Sequence, residues 1–250
     1  TPVGKLLTTE CAKTLKRTSM ELGGNAPFIV FETADLDAAV SGLIANKFRN
    51  AGQTCVCTNR VLVQSSVIES FTEKLITATN KLKLGDAFSA DTDIGPLINE
   101  SAVKKVRELV ANAEQLGAKS ISAESTYPAD SNFVAPIVLK NATTDMDIFS
   151  EEIFGPVAAI FEFENEAQAI EMANDSPFGL AAYFYSNDMS QVWRVGEALE
   201  AGMVGINDSA ISNEMIPFGG VKESGQGREG SKYGLDDYME IKHLKMGGLK

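Results

Sequence analysis

The chain reads as an α/β domain built on a largely parallel sheet, and three observations lead there. Short, nearly continuous apolar runs such as Ala26-Pro27-Phe28-Ile29-Val30-Phe31 have the pattern of buried strands. Between such runs lie segments with helical apolar spacing, as at Leu36, Val40, Leu43, Ile44 and Phe48. Starts and stops fall where helices need them, with Asp35 as an N-cap and Gly52 as a stop.

Taken in order, the spacing predicts a helix over 3–14, a short strand over 18–22 and the buried strand over 26–31. The helix over 35–50 is followed by a strand at 60–64 and a long helix over 67–82. A helix over 99–116 is capped by Asn99 or Ser101 and closed by Gly117. Further strands are expected at 119–123, 135–139, 157–163, 180–185 and 203–206, with helices at 166–174 and 189–199. The tail over 238–244 alternates as a strand, and an exposed strand there is an edge in need of a partner. No internal repeat or low-complexity linker interrupts the pattern.

At 250 residues, 44% hydrophobic and 22% charged, the chain can bury a substantial core as one or two domains. No apolar run approaches the roughly 18 residues of a membrane span. The first residues, Thr1-Pro2-Val3-Gly4-Lys5, lack the basic-then-apolar pattern of a leader and read as the middle of a protein. The expectation is a cytoplasmic protein without a membrane partner. A net charge of −12, from 22 basic and 34 acidic residues, disfavours a nucleic-acid partner. The acidic residues are scattered, as on a solvated surface.

Three cysteines (Cys11, Cys55, Cys57) and one histidine, His243, exclude a disulfide scaffold and a four-ligand zinc site, so no metal is expected. His243 lies in strand-like sequence near the end and reads as a surface residue. A nucleophilic cysteine here must therefore act without a histidine partner. Cys55 ends Arg49-Asn50-Ala51-Gly52-Gln53-Thr54-Cys55, on a connection between helix and strand, where catalytic groups tend to sit. The alternative is a small buried hydrophobe. Upstream, Met20-Glu21-Leu22-Gly23-Gly24 leads a carboxylate into a glycine pair. A thiol that attacks and a carboxylate that activates water suffice for covalent chemistry on a carbonyl. Gly225-Gln226-Gly227-Arg228-Glu229-Gly230 formally matches a dinucleotide fingerprint, but no strong strand precedes it, so it reads as a mobile glycine-rich loop.

Four separated motifs, taken together and in order, closely resemble the aldehyde dehydrogenase superfamily over essentially the whole chain. They are Glu21-Leu22-Gly23-Gly24, the run from Phe48 to Cys57, Glu151-Glu152-Ile153-Phe154-Gly155-Pro156 and Pro217-Phe218-Gly219-Gly220. Asn50-Ala51-Gly52-Gln53-Thr54-Cys55 and Gly227-Arg228-Glu229-Gly230-Ser231-Lys232-Tyr233-Gly234 resemble its succinate-semialdehyde dehydrogenase branch. The resemblance implies a three-layer catalytic domain with a mostly parallel sheet over 25–235. It also implies the tail end of a Rossmann-like cofactor domain over 1–24 and an oligomerisation strand over 236–250. On this reading the chain is a fragment that lacks most of the cofactor domain, and alone it binds NAD(P) poorly and is weakly active or inactive.

The same resemblance assigns roles. Cys55 is the nucleophile, whose backbone N–H helps to hold the oxyanion, and Glu21 is the general base. Glu152 bonds the nicotinamide ribose of NAD or NADP, and Phe154 packs beside the nicotinamide. Arg49, assisted by Ser212, recognises a carboxylate at the far end of the substrate. Cys57 is a possible redox partner of Cys55. Each has a plainer alternative: a strand-end acid for Glu21, an exposed turn residue for Glu152 and core packing for Phe154. For Arg49 it is a helix C-terminus, for Ser212 an ordinary loop serine, for Cys57 a packed strand thiol. The implied activity is oxidation of succinate semialdehyde to succinate by a homo-oligomer (dimer or tetramer). Another ω-carboxylated or aliphatic aldehyde, such as glutarate semialdehyde, or a catalytically silent assembly module, stays open.

Overall fold

The computed structural model describes residues 1–122, 127, 128 and 130–248. The strands are β1 (Met20–Glu21), β2 (Ala26–Val30), β3 (Thr58–Gln64), β4 (Lys119–Ser122), β5 (Ile137–Ala142), β6 (Val157–Phe163), β7 (Phe178–Gly179), β8 (Ala181–Tyr185), β9 (Met203–Ile206), β10 (Val221–Lys222) and β11 (Gly225–Gln226). The helices are α1 (Pro2–Ala12), α2 (Leu36–Lys47), α3 (Ile68–Thr79), α4 (Glu100–Gln115), α5 (Asp147–Ser150), α6 (Glu166–Asn174) and α7 (Met189–Ala198). Seven strands make one sheet in the order β4-β5-β6-β3-β2-β8-β9. Within this sheet, among the described residues, only the β4–β5 pair is antiparallel.

The apolar runs explain this topology. Every residue of β2 and β8 is buried, so the sheet centre is covered on both faces, as a parallel sheet requires. Helix α2 packs with α3 and α6 with α7, and both pairs also contact the sheet. Asp35 caps α2 by accepting from the Asp37 and Ala38 N–H groups. Asn99, rather than Ser101, caps α4 by accepting from Ala102 N. Among the described residues, no helix is long and apolar enough to cross a membrane.

Several expected elements differ for identifiable reasons. The strand expected over 135–139 begins at Ile137, because Pro136 has no N–H for the ladder, and it runs on to Ala142. The expected helix over 35–50 ends at Lys47, since Asn50 and Ala51 take left-handed backbone angles. Of the strand expected over 119–123, Ala123 lies outside the described residues. The tail is a correction. Tyr233–Tyr238 form a 3-10 helix, and 239–248 carry no regular structure, because among the described residues no strand lies alongside to pair with them. Leu249 and Lys250 lie outside the described residues. The glycine-rich segment is also tied down rather than loose. β11 pairs antiparallel with β1, Phe218 bridges Glu229, and the Arg228 guanidinium donates to Gly220 O and Gly227 O.

A buried polar lattice joins the strand starts. Arg60, 1% exposed, donates from Nε and Nη2 to Asn25 O (3.2 and 2.9 Å), and to Met172 O and Ala173 O at 2.6 and 2.8 Å. Its guanidinium lies 5.1 Å from the Phe149 ring centroid. Burial lowers its pKa to about 10, so it stays charged at neutral pH. Asn59 donates to Asn25 Oδ1 at 2.7 Å and to Glu151 O at 2.8 Å, and accepts from Ile153 N at 2.8 Å. Asn25 donates to Phe149 O at 3.0 Å. Truncating Arg60 to methionine strands these carbonyls in the interior. The variant should lose about 3 kcal/mol or more of stability in urea unfolding. An unchanged midpoint and slope would contradict the lattice.

Candidate active site

The site lies at the amino ends of the parallel strands. Gly24 precedes β2, Cys55 precedes β3 and Glu152 precedes β6. This is the opposite of the carboxyl-end crevice usual for open α/β sheets.

The Cys55 turn is built from strain that its neighbours hold in place. Asn50, Ala51 and Gly52 have φ of 51°, 55° and 75°, three consecutive left-handed residues. Gly52 is required twice over, since a Cβ there would also overlap the Gly155 carbonyl. Asn50 and Gln53 exchange side chain to backbone hydrogen bonds, each 3.1 Å, and Gln53 Oε1 accepts from Ile98 N at 2.9 Å. Cys57 N donates to Thr54 O at 3.1 Å and closes the turn. Cys55 emerges half-buried.

Gly24 lets the Glu21 segment pass this turn. A Cβ on Gly24 would stand 2.5 Å from the Cys55 carbonyl oxygen, so only glycine fits. Glu21 points inward, and its Oε2 is buried with no hydrogen-bond partner. Burial, then the nearby Glu229, pushes its pKa up to about 7, against the pull of Arg228. One side opens on a cavity of about 380 Å³ that Arg228, Glu229 and Tyr238 also line. Burial raises the Cys55 thiol as well, with Glu21 next among the causes and Glu152 contributing. The thiol therefore rests protonated at neutral pH, and the carboxylate near it is one whose affinity for a proton is itself raised.

Glu152 is brought to the same place. Its Oε1 accepts from Gly24 N at 3.1 Å, and its backbone carbonyl accepts from Lys105 Nζ at 2.6 Å. Its pKa is raised by burial, against the Gly24 hydrogen bond and Lys105. Among the described residues no donor sits on Oε2, which leaves that oxygen free to accept from a ligand hydroxyl. Phe154 is 40% exposed with φ of 53°, so it is not core packing. A carboxylate oxygen near the thiol and an exposed aromatic side chain two residues on are groups that could hold the ribose and ring of a nicotinamide nucleotide.

Arg49 and Ser212 come together although 163 residues apart in sequence. They line one cavity of about 190 Å³ with Asn46, Ser209, Ile211 and Val56, the residue after Cys55. Cys57 instead packs into the core at 7% exposure, its thiol directed at Lys47 O and Thr58 O (3.5 and 3.3 Å). All three cysteines are free thiols in this structure, and a bond to Cys55 would require Cys57 to leave that buried position. Sequence reasoning missed Gln53, which holds the turn, Asn25 and Asn59, which hold the Glu152 segment, and Arg228, whose charge lowers the Glu21 pKa while its guanidinium bonds Gly220 O and Gly227 O. Asn25 alone left a signal, a polar residue between a glycine pair and an apolar run.

The fold and the site together define an α/β domain that brings a half-buried thiol near a carboxylate of raised pKa. The chain belongs to the aldehyde dehydrogenase family, whose model matches residues 1–244. It is 54% identical over 249 residues to 3-sulfolactaldehyde dehydrogenase of Pseudomonas putida, covering 100% of this chain and 51% of that protein. It is 54% identical over 247 residues to succinate-semialdehyde dehydrogenase (NADP(+)) GabD of Escherichia coli strain K12, covering 99% and 51%. A crystal structure described as an E. coli NADP dependent enzyme superposes with a TM-score of 0.94 at 54% identity, covering 96% of this chain and 50% of that one. The chain thus spans about half the length of the curated relatives it matches.

The Glu21 shift has a signed consequence. A carboxyl whose folded pKa is raised from 4.5 to about 7 gives stability that is complete below pH 4.5 and lost as pH rises through 7. Glu21→Gln removes the charge that is costly to bury. It should raise the melting temperature at pH 8 and leave it nearly unchanged at pH 5. A variant less stable at both pH values would show that the buried carboxylate is favourably paired.

Proposed function

We propose that the whole protein oxidises an aldehyde bearing an anionic group at its far end, succinate semialdehyde foremost, to the corresponding acid. The observation that carries this reading is the cavity that places Arg49 and Ser212 immediately beside the Cys55 segment. A guanidinium in a small, half-enclosed pocket binds a carboxylate in bidentate fashion and fixes the distance from that group to the thiol. Its volume of about 190 Å³ suits a short chain.

The residues divide the work as follows. Glu21 takes the Cys55 proton, and Sγ adds to the aldehyde carbon to give a tetrahedral adduct. The Cys55 backbone N–H supports the oxygen that becomes negative. Glu152 would hold the ribose of NAD or NADP through its unpartnered oxygen, with Phe154 against the ring. The nucleotide, when bound, supplies the hydride acceptor that turns the adduct into a Cys55 thioester. Glu21 passes the first proton to solvent and then draws one from water. The resulting hydroxide adds to the thioester carbon, the C–S bond breaks to release the acid, and the departing sulfur takes the proton back from Glu21. A carboxyl with a pKa near 7 suits both proton transfers at neutral pH.

The relatives support an anion at the far end without fixing its identity. Glutarate semialdehyde, with one more methylene, remains the nearest alternative substrate. For assembly, the exposed tail with Tyr238, Ile241, Leu244 and Met246 supports pairing between copies in a homo-oligomer. The division into 1–24, 25–235 and 236–250 fits this reading.

In the whole protein, Arg49→Ala should raise KM for succinate semialdehyde about tenfold or more, a loss of about 1.4 kcal/mol of binding. KM for an uncharged aldehyde of similar length should move much less. Equal losses on both substrates would remove Arg49 from anion recognition, and full activity in Cys55→Ser would remove the covalent route.

A further inference from the structure

We infer that the Tyr183 hydroxyl is a positioning group for the nucleophile, holding the peptide that presents Cys55 from beneath while the same ring supports the loop around the anion pocket. This rests on the reading of Cys55 as nucleophile.

Tyr183 stands in the middle of β8 and is fully buried. Its hydroxyl donates to Val56 O at 2.7 Å. Val56 is itself buried, and among the described residues its carbonyl has no other donor. The Cys55 peptide is therefore gripped from two sides, with Gly24 against the Cys55 carbonyl and Tyr183 on the Val56 carbonyl. Burial keeps the phenol protonated far above the neutral range, so it remains a donor at any working pH.

The Asn46 side chain faces the same hydroxyl. Its Oδ1 accepts from Thr58 N and Thr58 Oγ1, both at 2.7 Å, and its Nδ2 donates to Ser209 O at 3.4 Å. Above the ring, a Cβ at Gly205 would come 2.8 Å from Tyr183 Cδ1 and 3.0 Å from Ile211 Cγ2. One buried cluster thus spans the exit of the nucleophile turn at Val56–Thr58 and the loop from Ser209 to Ser212. The hydroxyl serves the first and the ring body the second, so the two functions separate on substitution.

Tyr183→Phe keeps the ring and removes the donor. The buried Val56 carbonyl is then relieved only by movement of its peptide, which displaces the Cys55 N–H and Sγ from the reacting carbon. With succinate semialdehyde and NADP, assayed in the whole protein well below the melting point of the variant, kcat should fall about tenfold. KM should stay within about twofold, because Arg49, Ser212 and the ring are intact. The pH profile of Cys55 alkylation by iodoacetamide should shift with kcat. 3-Fluorotyrosine at position 183, which retains the donor, should keep kcat within about twofold of the parent. A Tyr183→Phe protein that is merely less stable, with kcat, KM and alkylation profile unchanged, would overturn the positioning role. So would an equal loss of kcat in the fluorotyrosine protein. Cys55→Ser separates the two levels. Turnover surviving in that variant defeats the covalent reading, whereas an inactive Cys55→Ser beside an unaffected Tyr183→Phe defeats only the inference about Tyr183.

Discussion

The site depends first on the buried hydrogen bonds of Asn25, Asn59 and Arg60. Parallel strands end in backbone groups that the sheet cannot satisfy, and four segments reach the same buried edge here. They are Gly24–Asn25, the start of β3, residues 149–153 and the end of α6. An apolar filling would leave their carbonyls stranded at a cost of about 1–3 kcal/mol each. A guanidinium and two amides satisfy them together and fix the spacing of Glu152, Gly24 and the strand that follows Cys55. A charge this deep is tolerable only because its donors are matched with carbonyls and its face lies on Phe149.

On that frame the molecule places groups that would each be unfavourable alone. Glu21 is half-buried, with its Oε2 wholly buried and without a hydrogen-bond partner and with Glu229 nearby, and Cys55 sits near both Glu21 and Glu152. The backbone of Asn50 and Ala51 is left-handed without glycine. Stability and reactivity pull in opposite directions here: the environment that makes Glu21 costly to ionise is the one that makes it an able base near neutral pH. On the proposed mechanism no histidine is needed, because the Glu21 carboxylate would take the role that imidazole fills elsewhere.

Much of this was legible in the sequence, for reasons of chain locality. Alternating apolar runs and caps gave the order of the elements, and Asp35 and Asn99 cap where their positions suggest. Glu21, Arg49, Cys55, Glu152 and Phe154 were marked because the motifs that contain them resemble those of the aldehyde dehydrogenase superfamily. Information that lives only in tertiary contacts was hidden. Asn59 and Arg60 look like polar interruptions of a strand until their distant carbonyl partners are known. The amino-end location of the site runs against the usual rule for such sheets. The tail alternates like a strand, but a strand is defined by its partner, and the described residues supply none for it. Cys57 shows the reverse case, where two residues of sequence spacing suggested a redox pair and burial places one thiol in the core.

The central claim is that Cys55 carries the substrate covalently and that Glu21 is needed to release it. Mass spectrometry of the whole protein bearing Glu21→Gln, quenched during turnover of succinate semialdehyde with NADP, tests it most directly. An acyl adduct confined to the peptide that contains Cys55, accumulating more than in the parent protein, is the expected result. An adduct on Cys11 or Cys57, or undiminished turnover with no adduct at all, would contradict it.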